Sequence, residues 1–385
     1  MKTLYQFEIK KIFNTKLFLF SLVSLLIVLL ATMWLNFYNS QMASGKGYST
    51  REAIQYNQKI AQKFDGNLDD DKIKDILDSY LSFYKESIEN PDKITNEPMN
   101  VFAYYVSDTM LDASDNLPSL VRDNPDITID EVDIKPLSAL RISDSINDVK
   151  MTTFFSWSDL FKTIKDIFIP IVIVIVIVIS GIFANEKSQN LDKIILPTKH
   201  GRNKLTTKKI IAGFSISIPI FLTTITLILI AYSYLYGLSG WDGSIQANFY
   251  LKTFNFPLPL NNIQVLFIIL FIQLLNIIMI TSITMLFSSY LNSAFSTMIA
   301  SLTFIALPAG INKIFLPGNF INKIHQYMPI NNFTLKNILD DMGFNNTFLF
   351  DNFWSNLIVI ILMTVIGSSL CIGIIHYHQK HQYIS

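Results

Sequence analysis

Only one cysteine, Cys371, occurs in the 385 residues, which excludes an intramolecular disulfide and any zinc or redox site built on several cysteines. Charge is scarce as well. Asp, Glu, Lys and Arg make up 16% of the chain, against roughly a quarter of a soluble domain, and they nearly vanish from several long windows. A nucleotide-binding loop is missing. Gly45-Lys46-Gly47 is the nearest approach, and it lacks both the first glycine at the required spacing and the Ser or Thr after the lysine. The chain is therefore read as having no ATPase site, no catalytic residues and no cofactor of its own, and no nucleic-acid partner. Intramembrane carboxylates and histidines, which proton- or ion-coupled carriers use, are absent from the span centres, Lys313 lying near one end of its span. That argues against a secondary transporter. With no nucleophile and base pair inside the apolar segments, an enzyme acting within the bilayer is disfavoured too.

What is present is apolar length. Half of the residues are hydrophobic and the mean hydropathy is +0.37. About 20 apolar residues at 1.5 Å rise cross a hydrocarbon core, and six stretches qualify: 17–36, 167–184, 210–237, 262–288, 294–316 and 353–376. The first is longer than a signal-peptide core and is followed by a poor cleavage site, so a retained anchor is expected. The second contains the β-branched run Ile171 to Ile179, read as a helix in lipid because of its apolar length and lack of turn signals. The fold class is thus an α-helical polytopic membrane protein with six transmembrane helices.

Lysine and arginine cluster in 1–16 and 185–209, which the positive-inside rule puts in the cytoplasm. The poorly basic segments 238–261 and 317–352 then lie outside, and 377–385 is a cytoplasmic tail. Segment 37–166, between the first two spans, becomes a mainly helical extracytoplasmic domain. It carries 23 acidic and 14 basic residues, a net of −9. Ser49-Thr50-Arg51-Glu52 reads as a capping box opening a helix that ends near Phe64. Ile73, Ile76, Leu77, Tyr80, Leu81, Tyr84 and Ile88 keep the 3.6-residue period of a second. Ile127 to Ile129 with Val132 and Ile134 suggest short strands. Asp65 to Asp71 resembles the start of a calcium loop, but Asp70 stands where glycine is needed and Ile76 where the closing Glu should be; an Asp-rich helix start explains it better. His376, His378 and His381 do not share one helical face, so no metal site is expected there either.

Uncharged polarity marks two spans. In the fourth, Gln273, Asn276, Thr281, Thr284 and Ser288 fall on one side, as helix-packing polarity or as the wall of a substrate path. In the fifth, Ser293, Ser296, Thr297, Ala300 and Ser301 permit close helix approach. Before the first span, Tyr5, Ile9, Ile12 and Phe13 form an apolar stripe opposite Gln6, Lys10 and Asn14, the pattern of an interfacial helix next to membrane lipid. The loop 185–208 carries a net +4 and has room for a short helix around 190–196, stopped by Pro197. Leu335, Ile338, Leu339 and Met342 are spaced for an interfacial or re-entrant helix before the last span.

These residues resemble a known pattern. Ile182-Phe183-Ala184-Asn185-Glu186-Lys187, then Leu191 to Leu205 with Pro197, Lys199, Arg202 and Lys204, then Lys208-Lys209-Ile210, resembles the cytoplasmic loop of ABC-2 type transporter permeases. Phe7-Glu8-Ile9-Lys10-Lys11-Ile12-Phe13 is similar to that family's N-terminal interfacial helix, and Gln326-Tyr327-Met328-Pro329 to its pattern before the last span. The family's frequent glycine after the loop glutamate is Asn190 or a neighbour here, and 37–166 has no motif of the family. The resemblance implies a permease subunit, usually of an exporter, in a bacterial cell membrane with both termini cytoplasmic. It would pair with a second permease, as homo- or heterodimer, and with separate ABC ATPase subunits that carry the ATP. Glu186, Asp192, Lys199, Arg202 and Lys204 would belong to the loop that receives the ATPase stroke. The competing expectation is a non-transporting sensor or scaffold of a secretion or immunity complex that works through the outer domain.

Overall fold

The computed structural model describes residues 2–40, 48–90, 97–112, 116–143, 146, 148–197, 201–237, 239–316, 318–343 and 346–382. The near phosphate loop at Gly45 and the predicted coupling residue Lys199 fall outside them. The helices, in order, are α1 (Lys2–Phe13), α2 (Lys16–Tyr38), α3 (Thr50–Lys63), α4 (Asp70–Glu89), α5 (Val101–Met110), α6 (Leu117–Asp123), α7 (Phe155–Ser188), α8 (Asp192–Ile195), α9 (Thr206–Tyr236), α10 (Asn262–Tyr290), α11 (Ala294–Ile314), α12 (Phe320–Gln326) and α13 (Phe353–His381). A two-stranded antiparallel pair, β1 (Gly66–Asn67) and β2 (Lys150–Met151), completes them. Six helices are long and apolar enough to cross a membrane: α2, α7, α9 with the turn before it, α10, α11 and α13. The protein is an α-helical polytopic membrane protein. At 1.5 Å per residue, α7 is about 50 Å long, well beyond the roughly 30 Å that a hydrocarbon core requires.

The chain divides into two compact units, one of residues 33–163 with 228–267, the other of 1–32, 164–227 and 268–385. In the first, amphipathic helices bury their apolar stripes against one another. Ile73, Ile76, Leu77, Tyr80 and Leu81 of α4 are buried, as are Phe102, Val106 and Met110 of α5 and Leu117 and Val121 of α6. Ile88 is exposed, because the period outlasts the packing surface. The capping box at Ser49 is formed in both directions, the Ser49 hydroxyl accepting from the Glu52 N–H while the Glu52 carboxylate accepts from the Ser49 N–H at 2.8 Å. Asp69 caps α4 by accepting from the Lys72 N–H at 2.8 Å, so the Asp run serves a helix start. The expected strands at 127–134 do not form. A single 3-10 turn at Ile129–Glu131 stands there instead, since no partner strand lies alongside to take its backbone groups.

Segment 239–261, read from the sequence as a separate loop, belongs to this same unit. The Ser244 N–H donates to the Lys150 carbonyl at 2.8 Å and the Ser244 hydroxyl accepts from the Lys150 N–H at 2.9 Å. Lys150 pairs with Asp242, and Lys252 with Asp108 at 3.1 Å. Gly240 and Gly243 lie so close to Thr152 that a Cβ on Gly243 would stand 2.0 Å from its hydroxyl oxygen. α7 begins at Phe155, inside what the sequence assigned to the outer domain, and its first turns are buried, Phe155, Trp157 and Phe161 included.

The second unit is organised around α7. Its β-branched run is core: Ile171, Ile175, Val176 and Ile179 are fully buried. By contrast α2 and α13 leave Leu19, Phe20, Ile27, Val365, Ile366 and Leu370 exposed, as faces that meet lipid do. Thr297, Ser301, Ile305 and Pro308 make the buried stripe of α11. In place of a regular helix near Leu335, one π-helical turn spans Asn337–Asp341 with Ile338, Leu339 and Met342 buried. The expected tail at 377–385 is helical as far as His381, and α13 continues through all three histidines.

Asn57 is the most connected polar side chain of the first unit. Its carbonyl oxygen accepts from the N–H groups of Val101 and Phe102 at 2.8 and 3.3 Å, and its amide donates to Met99 and Ala53 at 3.0 and 3.1 Å. Asn57→Ala removes the acceptor of the Phe102 N–H and leaves the Val101 N–H only its 2.9 Å bond to the Met99 carbonyl, and an unsatisfied buried N–H costs about 1–3 kcal/mol. Hydrogen exchange on the purified chain is expected to show faster exchange at Val101 and Phe102, with α10 and α13 unchanged.

Candidate functional site

The Glu186 end of α7 carries the densest buried charge. Helix α1 lies against it, followed after a two-residue break by α2. The predicted apolar stripe of α1 is displaced: Glu8 and Ile12 face inward, while Phe13 is exposed. Lys11, three residues after Glu8 and so on the same face, donates to the Glu186 carboxylate at 2.6 Å. From α9, Lys209 pairs with the second oxygen of Glu186. Lys209 is 2% exposed, its ammonium also donating to the Ile182 carbonyl at 3.2 Å and standing 5.1 Å from the centre of the Phe183 ring. One carboxylate thus holds two cations from two other elements. Burial raises the pKa of Glu8, against the lowering pull of Lys209 and Lys11 and with the push of Glu186.

The chain leaves α7 through a helix-ending turn. The Asn190 N–H donates to the Lys187 carbonyl at 3.0 Å and the Leu191 N–H to the Glu186 carbonyl at 2.9 Å, with Asn190 in the left-handed region at φ 55°. This is the position where glycine is preferred and asparagine is the next best choice. Asn190 therefore does the conformational work of the glycine that the sequence pattern led one to expect. Lys187 closes the end of a neighbour, donating to the carbonyls of Ser289 and, at 3.3 Å, Tyr290 in the last turn of α10.

The loop residues fall into two groups. Asp192 opens α8, is buried, and accepts from the Gln382 amide at 3.3 Å, beside Glu186 and Lys209 around a small cavity of about 10 Å³. Arg202 and Lys204 sit on a π-helical turn, Gly201–Leu205, that packs against α13. Arg202 is half-buried and Lys204 exposed. So Glu186 and Asp192 come together, while Lys204 faces away from the cluster into open space.

The five polar residues singled out in α10 are all buried, and two of them, Gln273 and Ser288, hold neighbouring backbone. Gln273 donates to the Phe333 carbonyl at 3.0 Å and Asn276 to the Asn332 side chain at 2.7 Å, fastening the turn after α12. Thr284 bonds within its own helix, to the Ile280 carbonyl at 2.9 Å. Ser288 reaches α7: its hydroxyl accepts from the N–H groups of Phe183 and Ala184 at 3.0 and 3.1 Å and donates to the Ser180 carbonyl at 2.7 Å. The Thr281 hydroxyl is buried and has no partner among the described residues. Gly213 keeps α9 close to α10, since a Cβ there would meet the Met285 sulfur at 2.6 Å.

A model of the family described as ABC-2 family transporter protein matches residues 3–380. The chain belongs to that family. It is a membrane permease of an ABC transporter, of a kind that works with ABC ATPase subunits and normally lacks an ATPase site. No curated protein and no solved structure matches the chain.

Glu8, Lys11 and Lys209 were passed over in the sequence as members of the site, the lysines counting only toward orientation. A signal was available for Glu8: an acid inside the apolar stripe of an interfacial helix, one turn before a lysine, needs a buried cation nearby. Lys209→Met leaves the carboxylates of Glu8 and Glu186 to share Lys11, and breaking a buried pair costs about 3–5 kcal/mol. The thermal stability of the purified chain is expected to fall accordingly and to recover in part when Glu8→Gln is added.

Proposed function

We propose that this permease is an exporter subunit in a bacterial cell membrane, with both termini and residues 185–209 in the cytoplasm, and that these residues receive the stroke of a separate ATPase. The observation that carries the reading is the grip of Glu186. Through Lys11 and Lys209 it ties the start of the loop, the end of α7, the start of α9 and helix α1 into one charged knot. A force on α8 or on the Gly201–Leu205 turn reaches two spans without passing through flexible chain. Glu186 and Asp192 then act as the internal anchor, and Lys199, Arg202 and Lys204 as the face offered to the ATPase, whose bound ATP supplies the energy. A second permease, identical or different, completes the complex. The buried polar face of α10, Gln273 to Ser288, supports a packing role first; the unpartnered Thr281 hydroxyl is the place where a path for substrate would touch it.

Residues 37–166 then lie outside with their net −9, which concentrates cations near the membrane and favours cationic peptides as substrate. The division of the loop decides the test. Lys204 is exposed, so Lys204→Glu spares the core. It is expected to reduce co-purification of a cognate ABC ATPase and substrate-stimulated ATP hydrolysis at least fivefold, with the permease's own melting temperature unchanged. Complex and turnover at the unaltered level would overturn the assignment and favour a sensor or scaffold that acts through the outer residues.

A further inference from the structure

A cavity of about 280 Å³ opens between α1, the start of α2 and the last turns of α7. Its lining includes polar groups, Glu8, Lys11, Asn185 and Gln189, and apolar ones, Leu17, Phe18 and Val178. Glu8 is 1% exposed. The two lysines near it both pair with Glu186 instead, and no hydrogen bond or ion pair to the Glu8 carboxylate occurs among the described residues. Lys209 and Lys11 act on Glu8 only through space, so the cavity wall contains a buried acid with no cation in direct contact, and such a group is expensive to leave incompletely compensated. Lys11 on the same wall keeps about a third of its side chain exposed. Gly181 leaves room for the Asn185 amide, which overlies it so closely that a Cβ there would stand 2.4 Å from the amide nitrogen.

Two further cavities flank α2. One, of about 350 Å³, is lined by Leu17, Leu25 and Val28 with Pro170, Ile173 and Ile177 of α7. The other, of about 340 Å³, is lined by Phe18, Leu22 and Leu29 with Ile216, Pro219 and Ile220 of α9. Both are apolar. Leu17 is shared by the polar cavity and the first, Phe18 by the polar cavity and the second. The cavity with the polar groups therefore adjoins two apolar crevices, both lined by α2.

We propose that this arrangement is a binding site for one two-chain phospholipid with an ethanolamine headgroup, its acyl chains lying on either side of α2. The primary ammonium donates to the Glu8 carboxylate, the phosphate accepts from Lys11 and from the amides of Asn185 and Gln189, and the chains follow Leu17 into one crevice and Phe18 into the other. The choice of headgroup follows from charge and donor count. Glu8, Lys11, Glu186 and Lys209 sum to zero, so a zwitterion adds no net charge to the buried cluster. An anionic glycerol headgroup brings a phosphate beside Glu8 with no compensating cation. A choline headgroup brings the cation but no N–H to give. Because Glu8 and Lys11 sit on the same helix that grips Glu186, a bound lipid would steady α1 against α7.

The test uses the full chain, purified in mild detergent, stripped of lipid and titrated with dioleoyl phosphatidylethanolamine, phosphatidylcholine or phosphatidylglycerol while binding is followed by native mass spectrometry. The ethanolamine lipid is expected to bind at least tenfold more tightly than the other two. Glu8→Gln should bring it down to the choline level. Ser24→Phe, at an exposed position lining one crevice, should weaken all three lipids several-fold and leave the headgroup preference intact. Equal binding of the three lipids by the unaltered chain, or an undiminished preference in Glu8→Gln, would overturn the proposal. Should Glu8→Gln fail to fold, the headgroup comparison on the unaltered chain and the Ser24→Phe titration decide it.

Discussion

A carboxylate that cannot reach bulk water has to find cations, and Glu186 finds two. That constraint organises the end of α7 and the segments packed on it. Lys11 comes from a helix before the first span and Lys209 from the start of the third, so satisfying one charge in a low-dielectric place brings together segments far apart in sequence. The desolvation of three charges is costly by itself, and the Ile182 carbonyl and the face of Phe183 offset part of it for Lys209. An arrangement of this kind specifies geometry more than it adds stability: α1, α7 and α9 are held in one relation because any other leaves a charge without a partner. The loop between Asn185 and Lys208 then starts from a fixed post and returns to one.

Elsewhere the spans are held by polar side chains, most of them on backbone. Ser288 touches the α7 main chain at three points, Lys187 closes the last turn of α10, and Gln273 and Asn276 fasten the turn after α12. In a hydrocarbon setting the hydrophobic effect does not favour helix on helix, because lipid tails are as apolar as leucine. Small side chains and hydrogen bonds do that work, and this is why the interior of the second unit is polar in so many places while its surface is Leu, Ile and Phe.

The helices with strong periodicity were legible from the sequence, and so were their caps. Ser49 and Asp69 start helices by local chemistry that four consecutive residues suffice to state. The strands expected at 127–134 failed for the opposite reason: a strand needs a partner, and the strands that do pair, Gly66 with Met151 and Asn67 with Lys150, are two residues each, too short for a pattern to reveal them. The stripe of α1 was misplaced because periodicity alone puts charge toward water, and it cannot know that a lysine some two hundred residues on, together with Lys11, makes a buried acid tolerable. Likewise the basic residues of 1–16 and 185–209 looked like one class, whereas Lys209 and Lys11 are inside or half-inside and Lys204 is outside.

What the sequence by itself determined is the number of apolar helices long enough to cross a membrane and the family, because both depend on composition and spacing along the chain. Only the tertiary structure decided which charges meet, that 239–261 folds with the residues between the first two spans, and that Gln273 and Ser288 of α10 are tied to neighbouring backbone. Those are outcomes of long-range packing, where a group's meaning is set by the dielectric and the partners around it, and neither is written in its neighbours along the chain.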